Sequence, residues 1–74
     1  MKEIMITTEF IKLQDLLKFS NMVETGGEAK ERIQAGEVYV NGEICLQRGK
    51  KIRPGDEVRF AGENLTVNYA DRPS

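Results

Sequence analysis

Four cationic side chains lie within six consecutive positions of the sequence, in the segment QRGKKIRPGD. They are Arg48, Lys50, Lys51 and Arg53. No acid lies between Cys45 and Gly55. Like charges this close repel one another when no anion is bound, so the segment is a candidate site for phosphate groups or nucleic acid. The alternative is a solvated connection between two strands, which is the usual state of a short charge run in a small protein.

This basic segment belongs to a chain that is slightly acidic as a whole. The formal net charge is −1, but residues 1–43 carry five cations against eight acids, a net charge of −3. Residues 44–74 carry six cations against four acids, a net charge of +2. Because salt screens charges over about 8 Å under physiological conditions, a polyanion at the basic segment responds to the local charge more than to the total.

The composition excludes most catalytic chemistry. The chain has no His and one Cys, which removes His-dependent triads, His or Cys metal sites and internal disulfides. A domain of 74 residues buries only about 60% of its unfolded surface, which leaves little room for an enclosed pocket. Cys45 lies in a predicted strand, where a buried or edge position is more typical than a nucleophile. We expect no catalytic residue, no metal ligand and no cofactor.

Neither a membrane span nor a secretion signal is indicated. No apolar run approaches the roughly 18–20 residues that cross a bilayer. The first segment, MKEIMITTEF, lacks the apolar centre and the cleavage site of a signal peptide. We therefore expect one domain over residues 1–74, located in the cytoplasm, without membrane partners.

Two short helices are predicted after a first strand within Met1–Thr8. The spacing of Leu13, Leu16 and Leu17 predicts the first helix over about residues 12–21.

The second helix has sequence signals at both ends. Thr25 and Glu28 have the spacing of a capping box, in which each side chain accepts a hydrogen bond from the amide of the other residue. Gly36 occupies the position of a left-handed cap at the end of this helix.

Further strands joined by tight turns are predicted after the helices. These strands are Val38–Val40, Glu43–Leu46, Glu57–Ala61 and Leu65–Tyr69. Asn41-Gly42 is typical of a two-residue hairpin turn. Arg53-Pro54-Gly55-Asp56 has Pro and Gly where a second turn favours them, and a third turn is predicted at Gly62–Asn64. We expect residues 70–74 to form a frayed tail.

The glycine pair Gly26-Gly27 has two interpretations. Free amides at the start of a helix bind phosphate, and glycine allows close approach of a backbone. Alternatively, the pair is a plain turn whose amides are capped by Thr25 and Glu28, and the charge of Glu28 favours this second interpretation. Tyr39 and Tyr69 also allow two interpretations, as stacking platforms for bases or as residues at the margin of the core.

The order of these parts resembles the S-four-type RNA-binding domain, named after ribosomal small-subunit protein four. The resemblance runs from about Ile11 to Phe60. Its centre is GGEAKERIQAGEVYVNGE, where the family shows a helix ending in I-x-x-G, then V-x-V-N-G, and later a turn like Gly55-Asp56. The segment FIKLQDLLKFSNMVETGGEAK is similar to the free-standing YaaA/YbcJ-like branch of the family.

The resemblance implies an α+β fold in which two short helices, the helix-turn-helix of the αL motif, pack on a small bent sheet. That sheet would have four to five mostly antiparallel strands. The resemblance also implies one RNA-facing surface formed by the helix-turn-helix and the adjoining loop. The residues assigned to this surface are Lys12, Lys18, Thr25, Gly26, Gly27, Lys30, Gln34, Arg48, Lys50, Lys51 and Arg53.

Two departures from the family pattern affect this surface. Thr25-Gly26 stands where many members have Ser-Arg, and Gln14 stands where the family usually has Asp. The missing arginine removes one expected phosphate contact. The amides of Gly26 and Gly27, together with Lys30 and the basic segment, are the candidate replacements.

The predicted function is non-catalytic binding of structured RNA, either ribosomal or transfer RNA, by a monomer. The alternative is a protein-interaction adaptor whose basic segment docks on an acidic surface of a partner that is ribosome-associated or acts in DNA metabolism. Both functions use the same cations, so the sequence alone leaves them open.

Overall fold

The computed structural model describes residues 2–70, so residues 71–74 of the predicted tail lie outside the described part. The helices are α1 (Leu13–Phe19) and α2 (Gly26–Gln34). The strands are β1 (Lys2–Ile6), β2 (Ile11–Lys12), β3 (Val38–Val40), β4 (Glu43–Ile44), β5 (Lys51–Ile52), β6 (Glu57–Phe60) and β7 (Glu63–Tyr69).

Five of these strands form one mixed sheet, in the order β1-β7-β6-β3-β4. Three of its pairings are antiparallel, and β1 pairs with β7 in parallel. The predicted α+β fold, with two helices on a mostly antiparallel sheet, is confirmed. The parallel pairing was not predicted, because alternation within a strand says nothing about the direction of its neighbour.

The hydrophobic core lies between the two helices and one face of this sheet. Buried residues alternate with less buried ones in β1, β3, β6 and β7, as the period of two requires. The helices contribute Leu13, Leu16, Leu17, Ala29 and Ile33, all fully buried. The sheet contributes Ile4, Ile6, Val38, Val40, Val58, Phe60, Leu65 and Val67. The other face of the sheet carries the exposed members of the same strands.

A second, two-stranded sheet joins β2 to β5. Ile11 lies opposite Ile52, and Lys12 lies opposite Lys51. Ile52 is fully buried and anchors the end of the basic segment in the core. The sequence did not predict this ladder, because two residues are too few to show alternation.

The observed starts of the two helices differ from the predicted ones only in detail. The first helix begins at Leu13 and not at Lys12, whose backbone is extended. The Thr25 hydroxyl accepts the amide of Glu28 at 3.1 Å, as predicted. The Glu28 carboxylate, however, accepts the amide of Glu24 at 2.9 Å and not that of Thr25. It therefore reaches one residue further back than the capping box predicts.

Two hairpin turns have both central residues at positive φ. Asn41 and Gly42 have φ values of 51° and 86°, as the predicted turn requires. The third turn was placed wrongly, since Ala61 and Gly62 form it with φ values of 54° and 80°, and β7 already begins at Glu63. Alanine carries no signal for this conformation, which explains the error.

We expect Ala61→Asn to raise the free energy of unfolding by about 0.5–1 kcal/mol, because Asn tolerates positive φ better than Ala does. Urea denaturation followed by circular dichroism measures the change. Asn41→Ala is the matched control in the other hairpin. It should destabilise the fold, since the Asn41 side chain also accepts the Glu57 amide at 3.0 Å. Equal or lower stability of Ala61→Asn would contradict the prediction.

Candidate nucleic-acid interface

The basic segment is held against the start of α1 by backbone hydrogen bonds. The Leu13 amide donates to the Lys50 carbonyl at 2.9 Å, and the Gln14 amide donates to the Arg48 carbonyl at 3.0 Å. The first amides of a helix have no acceptor within the helix, so the segment satisfies two of them. This arrangement fixes the backbone from which the cations project.

Two lysines face each other across the short β2–β5 ladder. Lys12 and Lys51 are directly opposite, and both are exposed. Like charges in this position destabilise a strand pair when no anion lies near them. The Lys51 ammonium also lies 5.0 Å from the centroid of the Phe10 ring, a cation–π distance that orients the side chain.

Most cations assigned to the surface are not neutralised within residues 2–70. The salt bridges in this range join Lys18 to Asp15 at 3.6 Å and Arg32 to Glu37 at 3.4 Å. The cations assigned to the surface that have no salt bridge to any described residue are Lys12, Lys30, Arg48, Lys50, Lys51 and Arg53. Their charge is therefore available to an external anion.

The start of α2 offers backbone donors beside another cation. The amides of Gly26 and Gly27 have no acceptor within the helix, because they belong to its first turn. A Cβ atom built on Gly26 would lie 3.9 Å from the ammonium nitrogen of Lys18. Amides at the positive end of a helix dipole, next to an ammonium group, suit a phosphate.

Nothing in the fold requires glycine at these two positions. Neither Gly26 nor Gly27 is among the residues with positive φ. An added Cβ would meet Lys18 Nζ or Thr25 Oγ1 at 3.9 Å, which is ordinary van der Waals contact. The missing side chains leave the two amides open to a ligand.

The structure brings the assigned residues together in two groups. Lys12 lies with the basic segment, and Lys18 lies with the α2 start, about 9 Å further along α1 at 1.5 Å per residue. Lys30 is exposed one turn into α2. Gln34 is exposed but ends α2, roughly 12 Å along the helix from Gly26, so it does not join the glycine group.

Three contributors to this surface were missed by the sequence analysis. Phe10 orients Lys51, and Asp15 lies within 4 Å of Lys18. The backbone of Leu13 and Gln14 holds the basic segment. Asp15 and Lys18 have the i, i+3 spacing of a helical ion pair, so the sequence did carry a signal for this contact. The other contacts join residues far apart in sequence, and spacing gives no indication of them.

The described part of the chain has neither a cluster of metal ligands nor a helix that could span a membrane. Residues 2–70 contain no group of three or more His, Cys, Asp or Glu side chains placed to hold a metal ion. None of the helices in this range is long and apolar enough to span a membrane.

The chain belongs to the S4 domain family, whose model matches residues 4–68. The fold of two helices packed on a mixed five-stranded sheet matches that of solved structures with the αL motif.

Several proteins of known name resemble the chain closely. A relative in Bacillus subtilis strain 168, named "Probable ribosome maturation protein RlbA", is 41% identical over 59 residues, which are 80% of this chain and 83% of the relative. YbcJ of Escherichia coli strain K12 is 39% identical over 57 residues, covering 77% of this chain and 81% of YbcJ.

Solved structures show the same likeness. The solution structure of Escherichia coli YbcJ is described as revealing an αL motif involved in RNA binding. It superposes on this chain with a TM-score of 0.66 at 33% identity. The match covers 90% of this chain and 84% of YbcJ. A pseudouridylate synthase superposes with a TM-score of 0.68 at 30% identity over 76% of this chain, but only 24% of the synthase is matched. The likeness to the synthase is therefore confined to one part of that enzyme.

We expect Gly26→Ala and Gly27→Ala each to raise the free energy of unfolding by about 0.5–1 kcal/mol, because Ala is the better helix former and both sites have room for a Cβ. Urea denaturation of each variant measures the change. Gly42→Ala, at a φ of 86°, is the control and should destabilise the fold. A loss of stability at Gly26 or Gly27 would show that the fold itself needs glycine there.

Proposed function

We propose that this protein binds structured RNA, without catalysis, through the basic segment, Lys12 and the α2 start. The observation that carries the proposal is the exposed pair of Lys12 on β2 and Lys51 on the basic segment, which lie directly opposite each other. The cations of this segment form no salt bridge within residues 2–70. The names of the relatives support it, since one is named "Probable ribosome maturation protein RlbA" and the structure of the other is described as revealing a motif involved in RNA binding. They favour ribosomal RNA over transfer RNA as the target.

The proposed mechanism is recognition of backbone shape and charge. Lysine and arginine side chains neutralise phosphates and release counterions, which provides affinity with little reading of base sequence. A-form RNA presents phosphates and 2′-hydroxyls on a surface of fixed shape, and a rigid arrangement of cations matches such a surface. One chain supplies all of these groups, so the proposal requires only a monomer, acting in the cytoplasm where ribosomes are assembled.

The salt dependence of binding tests the electrostatic part of the proposal. If about five phosphates are engaged, log K should fall against log salt with a slope near −3.5 to −4.5. Lys50→Glu with Lys51→Glu should lower both the affinity and the steepness of this slope. Fluorescence anisotropy with a labelled RNA hairpin, read from low to physiological salt, measures both quantities.

The matched control is Lys50→Arg with Lys51→Arg, which keeps the charge and changes the side chains. It should bind RNA with nearly the affinity and slope of the original chain. If the folded double-Glu variant binds unchanged, the basic segment does not contact RNA and the proposal fails. If the double-Arg variant loses binding as well, recognition depends on particular side chains, as a protein partner would require.

The glycines at the α2 start provide a second test, because stability and binding should move in opposite directions. Gly26→Ala and Gly27→Ala, expected to stabilise the fold, should weaken RNA binding by about three- to tenfold by crowding the approach of a phosphate to the amides. The same anisotropy titration measures this change. Unchanged affinity in both variants would remove the α2 start from the proposed interface.

The target itself can be identified by co-purification. The tagged chain is isolated from bacterial cells at low salt, with and without ribonuclease, and the attached RNA is sequenced. The proposal expects ribosomal RNA or ribosomal particles that disappear after ribonuclease treatment. Absence of RNA from both samples would count against it.

An adaptor function is the second candidate, favoured by one observation. Ile44 and Leu46 are 54% and 58% exposed and line an open groove of about 440 Å³, together with Lys50. An exposed apolar pair beside a cation suits a protein surface with an apolar residue next to an acid. This function expects a protein partner that survives ribonuclease treatment and is lost when Leu46 is replaced by Ser.

A further inference from the structure

The face of the large sheet that points away from the helices carries an ordered row of side chains. Tyr39 of β3 lies opposite Arg59 of β6, and Arg59 lies opposite Asn64 of β7. Their neighbours along the strands, such as Val38 and Val58, are buried beneath the helices. Because successive side chains of a strand point to opposite faces, the row projects from the open face of the sheet.

A hollow lies along this row. Its volume is about 340 Å³, and it is lined by Tyr39, Gly42, Glu57, Arg59 and Asn64. A second hollow of about 250 Å³ lies on another side of Tyr39 and Arg59, next to Ala61 and Gly62. The tyrosine is 38% exposed and borders open space in both hollows. Its ring is therefore accessible to a flat ligand.

The polar groups around the hollow are of three kinds. Arg59 is exposed and forms no salt bridge with any of residues 2–70. Glu57 is exposed and also lacks a salt bridge in this range, although its backbone amide donates to the Asn41 side chain at 3.0 Å. Asn64 is half-buried and supplies an amide that both donates and accepts. A cation, an acceptor and a mixed donor–acceptor thus line the hollow beside one aromatic ring.

We propose that this face binds an unpaired nucleotide. The base stacks on Tyr39, since every base has a π-face and stacking on aromatic side chains is the usual way in which proteins hold unpaired bases. The phosphate binds Arg59, whose guanidinium group matches the oxygens of a phosphate. The base edge contacts Asn64 and Glu57.

Glu57 determines which bases fit. A carboxylate only accepts hydrogen bonds, so it favours a base edge with an exocyclic amino group, as in cytosine, adenine or guanine, and disfavours uracil. It also repels phosphate, which leaves the Arg59 side of the row as the place for the charged end of the ligand. A nucleotide therefore binds in one orientation, with its phosphate towards Arg59 and its base edge towards Glu57.

The nucleotide site is separate from the basic segment and the α2 start. Its residues lie on β3, β6 and β7, on the sheet face opposite to the helices. The two sites can consequently be tested independently, and failure of one leaves the other intact. A double-stranded RNA with an unpaired extension is the ligand class that could use both.

The test is a nuclear magnetic resonance titration of the full ¹⁵N-labelled chain with CMP, UMP and inorganic phosphate. The proposal expects amide shifts concentrated at Tyr39, Arg59 and Asn64 with CMP, and weaker binding of UMP. Shifts confined to the basic segment or the α2 start would overturn it. The same shifts with phosphate alone would also overturn it, because they would define an anion site without base recognition.

Variants separate stacking from charge. Tyr39→Ala should weaken CMP binding by about tenfold, whereas Tyr39→Phe should retain it, since both aromatic rings stack. Arg59→Gln should weaken CMP binding but leave the binding of the nucleoside cytidine nearly unchanged. All three substitutions are at exposed positions, so folding should be preserved. Equal binding by Tyr39→Ala and the original chain would overturn the proposal.

The ligand is either a free nucleotide or an unpaired nucleotide within RNA. These are distinguished by comparing the affinity for CMP with the affinity for a short single-stranded oligonucleotide that contains cytosine. Tighter binding of the oligonucleotide supports a site for unpaired RNA. Equal affinity for CMP and the oligonucleotide supports a site for a free nucleotide. Binding of a blunt RNA duplex should be unaffected by Tyr39→Ala, and a loss there would overturn the separation of the two sites.

Discussion

Two hydrogen bonds from the start of α1 to the carbonyls of Lys50 and Arg48 hold the basic segment in place. The four neighbouring cations of the segment repel one another, and these bonds hold the backbone against that repulsion. The bonds are assisted by Ile52, which is fully buried at the end of the segment. Mutual repulsion is thus offset by backbone hydrogen bonding and burial, and the resulting arrangement is ready for an anion before one arrives.

The first backbone amides of both helices lack an acceptor within their own helix, but the two helices differ in what those amides bind. The first amides of α1 are occupied by the basic segment, whereas those of Gly26 and Gly27 in α2 have no acceptor within the helix. Thr25 and Glu28 cap α2 without using these two amides. The capped and the phosphate-binding interpretations of the glycine pair are therefore compatible, although the sequence presented them as alternatives.

The parts predicted correctly from sequence were those with a local cause. The apolar spacing around Leu16, the cap at Thr25 and the turn at Asn41-Gly42 each depend on a few adjacent residues, and the resemblance to a known family added the arrangement of the helices on the sheet. The missed features depend on distant pairs or on a residue that gave no signal. The β2–β5 ladder joins residues that are 41 and 39 positions apart, and Ala61 adopts a conformation that alanine rarely takes.

The parallel pairing of β1 with β7 has a consequence for how the chain folds during synthesis. Lys2 lies opposite Leu65 and Ile6 opposite Tyr69, a separation of 63 residues in sequence. β1 is made before β7 and can therefore find its partner only after the residues between them have been made. Until then its apolar face, with Ile4 and Ile6, lacks the neighbouring strand that completes its burial. Closing so long a loop is slow compared with helix formation, so the docking of β1 on β7 is expected to be a late step of folding.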